Sequence, residues 1–140
     1  MRDQITPAEF YKGRDAQYPL DLTEEIKAFG RETLRRANSL LDVFYSANPQ
    51  AHRRSCNSGW RPPIINASVP NAAPKSKHML AQAIDIEDDD GCLDAWCMSP
   101  EGRSAMIQIG LWLESPSSTP RWCHLQIVAP ASGNRIFQVA

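Results

Sequence analysis

The chain has little net charge to offer a partner. Fifteen lysines and arginines stand against sixteen acids, a formal charge of -1, so no field favours nucleic acid or an anionic membrane surface. No apolar run reaches membrane-spanning length, and we expect no membrane partner. Residues 1–20 lack the basic start and apolar block of a secretory signal, so we expect a chain made in the cytoplasm without a signal of its own. The four cysteines, Cys56, Cys92, Cys97 and Cys123, include no C-x-x-C pair, which argues against a four-cysteine zinc knuckle. Cys92 and Cys97 are close enough in sequence for a disulfide, but small buried thiols are the plainer reading. There is no internal repeat and no low-complexity tract.

At 140 residues and 42% hydrophobic, the chain fits one domain with an ordinary core, expected to act as a monomer. Thr6-Pro7-Ala8-Glu9-Phe10 starts like a short helix, with a capping residue, proline in the first turn and an acid behind it. It belongs to an N-terminal extension over residues 1–20, in which Gly13 to Pro19 reads as loop. From the cap Thr23, residues Ile26, Phe29, Leu34, Ala37, Leu40, Leu41 and Phe44 recur at helical spacing until Asn48-Pro49, a stripe best explained as core packing. Residues 55–77 hold four of the eleven prolines and read as an ordered loop, a common place for site residues. Strands are expected at Ala83–Ile86, Ile107–Glu114 and Trp122–Val128, with Ile136–Val139 a weaker candidate, and a helix at Gly91–Met98 or Glu101–Ile109. The run Glu87-Asp88-Asp89-Asp90-Gly91 reads as a solvated turn and lacks the ligand spacing of a calcium loop. The whole predicts an α+β fold with helices packed on a small antiparallel sheet.

Histidine is scarce. Of three, His52 sits beside Arg53 and Arg54 in what reads as an exposed basic turn. The others lie in Ser76-Lys77-His78 and Trp122-Cys123-His124, with Asp85 seven residues after His78. That spacing separates His78 and Asp85 by about 10 Å on a helix and by more than about 20 Å on a strand. Neither can chelate one metal, so the chain must bend, with His78 in a loop, Asp85 on the strand after it and His124 arriving from a neighbouring strand. Two imidazoles and a carboxylate would leave a fourth zinc position open. By spacing alone, a hydrogen-bonded core histidine is the better account of His124.

Three ordered blocks add to this. Ser76, His78, Ala83 and Asp85 resemble the pattern S-x-H-x-x-G-x-A-x-D of the zinc D-alanyl-D-alanine carboxypeptidase and L-alanyl-D-glutamate endopeptidase family, whose fold is shared with the hedgehog signalling domain. Trp122-Cys123-His124 is similar to its W-x-H block, and Ser58-Gly59-Trp60-Arg61 to its upstream S-G-[YW]-R block. The resemblance covers about residues 20–128. It implies a Zn2+ cofactor held by His78, Asp85 and His124. Arg61 would bind the substrate carbonyl or carboxylate, Ser76 would support the loop or the substrate, and Trp60 and Trp122 would be walls of the cleft. The implied reaction is hydrolysis of a peptide bond in the stem peptides of bacterial peptidoglycan. A phage or prophage lysis enzyme, or a virion part, would act so at the cell wall once released or carried there.

Two departures stand out. The glycine of the first block is Ala81, a mild change if the backbone φ there is negative. The acid that many members place three residues before the last histidine is Arg121, which cannot accept a proton at neutral pH. Glu114, returned beside His124 by a hairpin through Ser115–Pro120, is the substitute base we expect. Two rivals follow from the missing acid: a zinc-stabilised cell-wall-binding domain without activity, and a virion structural domain.

Overall fold

The computed structural model describes residues 2–138. Helix α1 (Pro7–Tyr11) opens on a capping box in which Thr6 Oγ1 accepts from Glu9 N and Glu9 Oε1 accepts from Thr6 N, each at 3.2 Å, satisfying two otherwise orphaned donors. The expected loop at 13–19 contains a single helical turn, α2 (Arg14–Gln17), too short to show a periodicity. Helix α3 (Glu24–Ala47) runs where the apolar spacing places it, capped by Thr23 Oγ1. Its stripe of Leu34, Ala37, Leu40, Leu41 and Phe44 is buried. Ile5 and Phe10 join the same buried cluster as α3 and the sheet, so the N-terminal segment with its short helix packs onto the body of the protein.

The expected loop at 55–77 is also corrected. It holds strand β1 (Cys56–Ser58) and helix α4 (Pro63–Ser68). The adjacent prolines 62 and 63 mark the helix start, where a missing N–H costs nothing. A short 3-10 turn (Lys77–Leu80) then leads into β2 (Ala83–Glu87). Both candidate helices downstream form, as α5 (Cys92–Met98) and α6 (Pro100–Ile109). The strand expected from Ile107 is therefore wrong at its start: α6 continues through Ile109, ends on Gly110 at φ 92°, and only β3 (Trp112–Glu114) is extended. Ser99 Oγ capping Gly102 N, with Pro100 behind it and Gly110 at the end, is a complete set of helix boundary signals. Strands β4 (Trp122–Gln126) and β5 (Ile136–Phe137) complete the chain. Val139, in the last expected strand, lies outside the described residues.

The fold is mixed α and β around one five-stranded sheet ordered β1-β2-β4-β3-β5. Three neighbouring pairs are antiparallel, and β5 joins β3 in parallel, the one departure from the expected antiparallel sheet. On the inner face Ile84, Ile86, Leu113, Cys123 and Leu125 are wholly buried. Alternation then puts Asp85, His124 and Gln126 on the opposite face, which carries the candidate site. No helix among the described residues is long and apolar enough to cross a membrane.

Candidate metal centre

Register explains how distant residues meet. Asp85 on β2 pairs directly with His124 on β4, so their side chains rise from one face about 5 Å apart at Cβ. Asp85 Oδ1 is 2.8 Å from His124 Nδ1. His78 reaches the same carboxylate from the 3-10 turn just before β2, its Nε2 3.3 Å from Asp85 Oδ1. The chain bends between them because Ala81 takes φ 58°, closing the turn through Ala81 N to His78 O and Gln82 N to Lys77 O. The change from glycine is therefore not the mild one that a negative φ would make it. A glycine would adopt that conformation without strain, whereas alanine loses roughly 1 kcal/mol there. Thr33 Oγ1 holds the Ala81 carbonyl at 2.7 Å.

The three side chains each offer one ligand atom, and those atoms lie within 4.8 Å of one another. Outer partners fix which ring nitrogens face inward. His78 Nδ1 donates to the Gly59 carbonyl at 2.8 Å, so a neutral ring turns its Nε2 lone pair toward Asp85. That nitrogen is buried and has no hydrogen-bond partner. His124 Nε2 donates to Gln126 Oε1 at 3.1 Å, and Gln126 Nε2 in turn donates to Val128 O at 2.7 Å, which leaves His124 Nδ1 as the inward lone pair. Two ring lone pairs and a carboxylate oxygen therefore converge in a buried space, an arrangement that calls for a cation. The residues fit a metal ion, and this group could hold one.

Electrostatics agree. Burial works against charge on Asp85, but the two histidines outweigh it and hold the carboxyl well below its ordinary range. Burial pushes the His78 pKa down, against the pull of Asp85. For His124 burial also opposes protonation, yet Asp85, Gln126 and Glu114 raise it.

Around this cluster the other expected residues sort differently. Glu114, last residue of β3, has Oε1 3.8 Å from His124 Nδ1, so the hairpin does return it to the site. Burial raises its pKa, with His124 lowering it and Asp85 adding to the rise. Arg61 N donates to His78 O at 3.0 Å. Its half-buried guanidinium is near enough to Asp85 to feel its charge; burial lowers its pKa, Asp85 raises it and Arg14 lowers it. Ser76 Oγ accepts from His78 N at 3.2 Å, which supports the loop that carries the ligand. Trp60 is a correction: it is fully buried, its Nε1 donating to Met79 O at 3.0 Å, so it braces the His78 turn from inside and presents no surface to a substrate. Trp122 is half-buried on the same sheet face as His124. Arg121 points to solvent beside Asp89, 3.3 Å away, outside the cluster.

Residues that sequence reasoning did not single out also matter. Gln126, two positions after His124 on the same strand, is signalled by strand periodicity alone. Gly59 gives a carbonyl to His78, and a Cβ there would sit 2.4 Å from the Phe10 ring and carbonyl, so only glycine lets β1 approach α1. Phe137 packs edge-on at 6.3 Å from the His124 ring. A separate cavity of about 330 Å³, lined by residues including Asn48, His52, Asp90 and Cys92, shares none of the cluster's residues. Cys56, Cys97 and Cys123 are buried, Cys92 is exposed, and all four are free thiols.

Comparison of the chain with protein-family models, curated proteins and solved structures gave no match.

Proposed function

We propose that this protein is a zinc-dependent peptidase of the D-alanyl-D-alanine carboxypeptidase and L-alanyl-D-glutamate endopeptidase type, with the hedgehog-like fold of that family, acting on peptidoglycan stem peptides. One observation carries the metal: His78 and His124, oriented by Gly59 and Gln126, aim lone pairs at a shared Asp85 oxygen. Two imidazoles and one carboxylate suit zinc with a position left open. The cell-wall substrate rests on the three ordered sequence blocks.

A zinc ion held there supplies Lewis acidity toward a scissile carbonyl. The chain's own groups supply the rest. Glu114, half-buried beside His124, is the base that takes a proton from the attacking water and returns it to the leaving amine. Arg61, whose Nε is buried without a hydrogen-bond partner, offers donors to the developing oxyanion or to a substrate carboxylate. A lysis enzyme or virion part of a phage is the setting that suits these roles.

A second reading is a metal-stabilised wall-binding or virion structural domain without turnover, favoured by Arg121 standing where relatives are expected to carry the acid. Zinc-loaded protein incubated with purified peptidoglycan separates the two. Peptides or D-alanine released, lost with a chelator and regained with zinc, support the enzyme; tight binding with no released product supports the second reading.

A further inference from the structure

We propose that Arg14 and Arg61 form an anion subsite beside the metal cluster that holds a free carboxylate of the peptide substrate, with Arg14 setting the preference for the charged group. This rests on the peptidase reading above. Arg61 is fixed by its backbone to the turn that carries His78, through Arg61 N and His78 O at 3.0 Å. Arg14 is fixed to the residue before it, its Nη1 donating to the Trp60 carbonyl at 3.1 Å. Trp60 is itself wholly buried, its Nε1 donating to Met79 O. The Arg14 guanidinium is thus anchored on the residue next to Arg61, whose backbone is fixed to the His78 turn. Arg61 lies within electrostatic reach of both Asp85 and Arg14.

Neither cation has a carboxylate partner among the described residues. The other arginines near the core are paired, Arg36 with Glu32 at 2.8 Å, Arg53 with Glu9 at 2.6 Å and Arg54 with Asp90 at 3.0 Å, whereas Arg2 and Arg135 bond backbone carbonyls. Burial and Arg14 both work against the charge on Arg61, with Asp85 favouring it, and the Arg61 Nε is buried and unbonded, so a carboxylate brought by a ligand would meet an unsatisfied donor. A stem peptide brings free carboxylates of two kinds, at its D-terminal residue and on the α-carbon of a γ-linked D-glutamate, and either has the planar geometry a guanidinium binds. The neighbouring Asp85 favours the charge on Arg61 but is shared with the two histidines, 2.8 Å from His124 Nδ1 and 3.3 Å from His78 Nε2.

Two probe pairs distinguish the sources: acetyl-L-Lys-D-Ala-D-Ala as free acid and as C-terminal amide, and L-Ala-γ-D-Glu-L-Lys-amide with its glutamate α-carboxyl free or amidated. Binding to zinc-loaded full-length protein is measured by calorimetry, and KM and kcat wherever hydrolysis occurs. Wild type is expected to favour the acid in one pair by about 10-fold. Arg14→Gln should bring that ratio near one through KM, and Arg14→Lys should restore part of it. Zinc content and melting temperature measured on both variants identify a folding defect, and the acid-to-amide ratio of Arg14→Lys then decides. A ratio that survives Arg14→Gln, or a wild type indifferent to the carboxylate in both pairs, overturns the subsite. Hydrolysis of acid and amide alike leaves the peptidase standing and removes the subsite. Arg14-dependent binding of the acid without any hydrolysis keeps the subsite and removes the peptidase.

Discussion

Asp85 Oδ1 stands 2.8 Å from His124 Nδ1 across directly paired residues of two antiparallel strands, with His78 Nε2 3.3 Å from the same oxygen. One carboxylate thus holds two imidazoles that outer hydrogen bonds have already oriented. Asp85→Asn keeps the shape and removes the charge. Zinc affinity, measured by competition with a chromophoric chelator, is expected to fall more than about 100-fold, beyond the loss usual for an outer-sphere partner. Unchanged zinc content in this variant and in His78→Ala would sink the metal site.

Glu114 has a different part. At 3.8 Å from His124 Nδ1 it is next to the cluster but not among the three residues whose ligand atoms converge. Glu114→Gln should therefore retain zinc and fold while hydrolysis of peptidoglycan drops by roughly 100-fold to 10,000-fold in kcat. Full activity in a zinc-replete Glu114→Gln protein would take Glu114 out of the mechanism.

Local signals carried the parts of this fold that are local. The α3 stripe, the Thr6 and Thr23 caps, and the strands around Asp85 and His124 follow from spacing and boundary residues. What spacing could not supply was the partner of each residue in space. Trp60 reads as a cleft wall in sequence because aromatic residues beside a site line it as often as they support it, and only burial decides. Ala81 turned out left-handed because the turn must bring His78 back over β2, a tertiary demand invisible in the residue itself. The acidic run was misread for the same reason: Asp88, expected in solvent, is buried and accepts from Leu93 N and Asp94 N at 2.9 and 2.8 Å. Arg54, expected in an exposed basic turn, is the buried cation that answers it.

That pairing is itself testable. Arg54 is wholly buried, with Glu87 at 3.5 Å, Asp88 at 3.9 Å and Asp90 at 3.0 Å, and Asp88 has no solvent-exposed side chain. His52 closes the network through Glu87 at 3.0 Å. Replacing Arg54 by Met preserves volume and leaves Asp88 buried without its counter-charge, a loss of about 3 kcal/mol or more. Urea unfolding at neutral pH measures it. A change under about 1 kcal/mol would mean that the helix N–H donors alone satisfy Asp88.

Burial raises the pKa of Asp88 and Asp94 alike, but among the described residues no arginine stands beside Asp94. Its carboxyl, in the first turn of α5, lies buried among Asp88, Cys123 and Thr119, with Oδ1 lacking a hydrogen-bond partner. Burial pushes its pKa from 3.8 up to about 7, and the like charge of Asp88 adds to this against the lowering effect of Cys123 and Thr119. Between those two values the native state binds more protons than the unfolded chain, so this group's contribution to stability falls as pH rises from about 4 to about 7 and is level above. Asp94→Asn removes the titration. Relative to wild type it should stabilise the protein at pH 8 by on the order of 1 to 3 kcal/mol, and have little effect near pH 4. Paired urea midpoints at pH 4.5 and pH 8 test this directly: an equal effect at both would show that Asp94 is ionised in the native state throughout, its charge already met by neighbours.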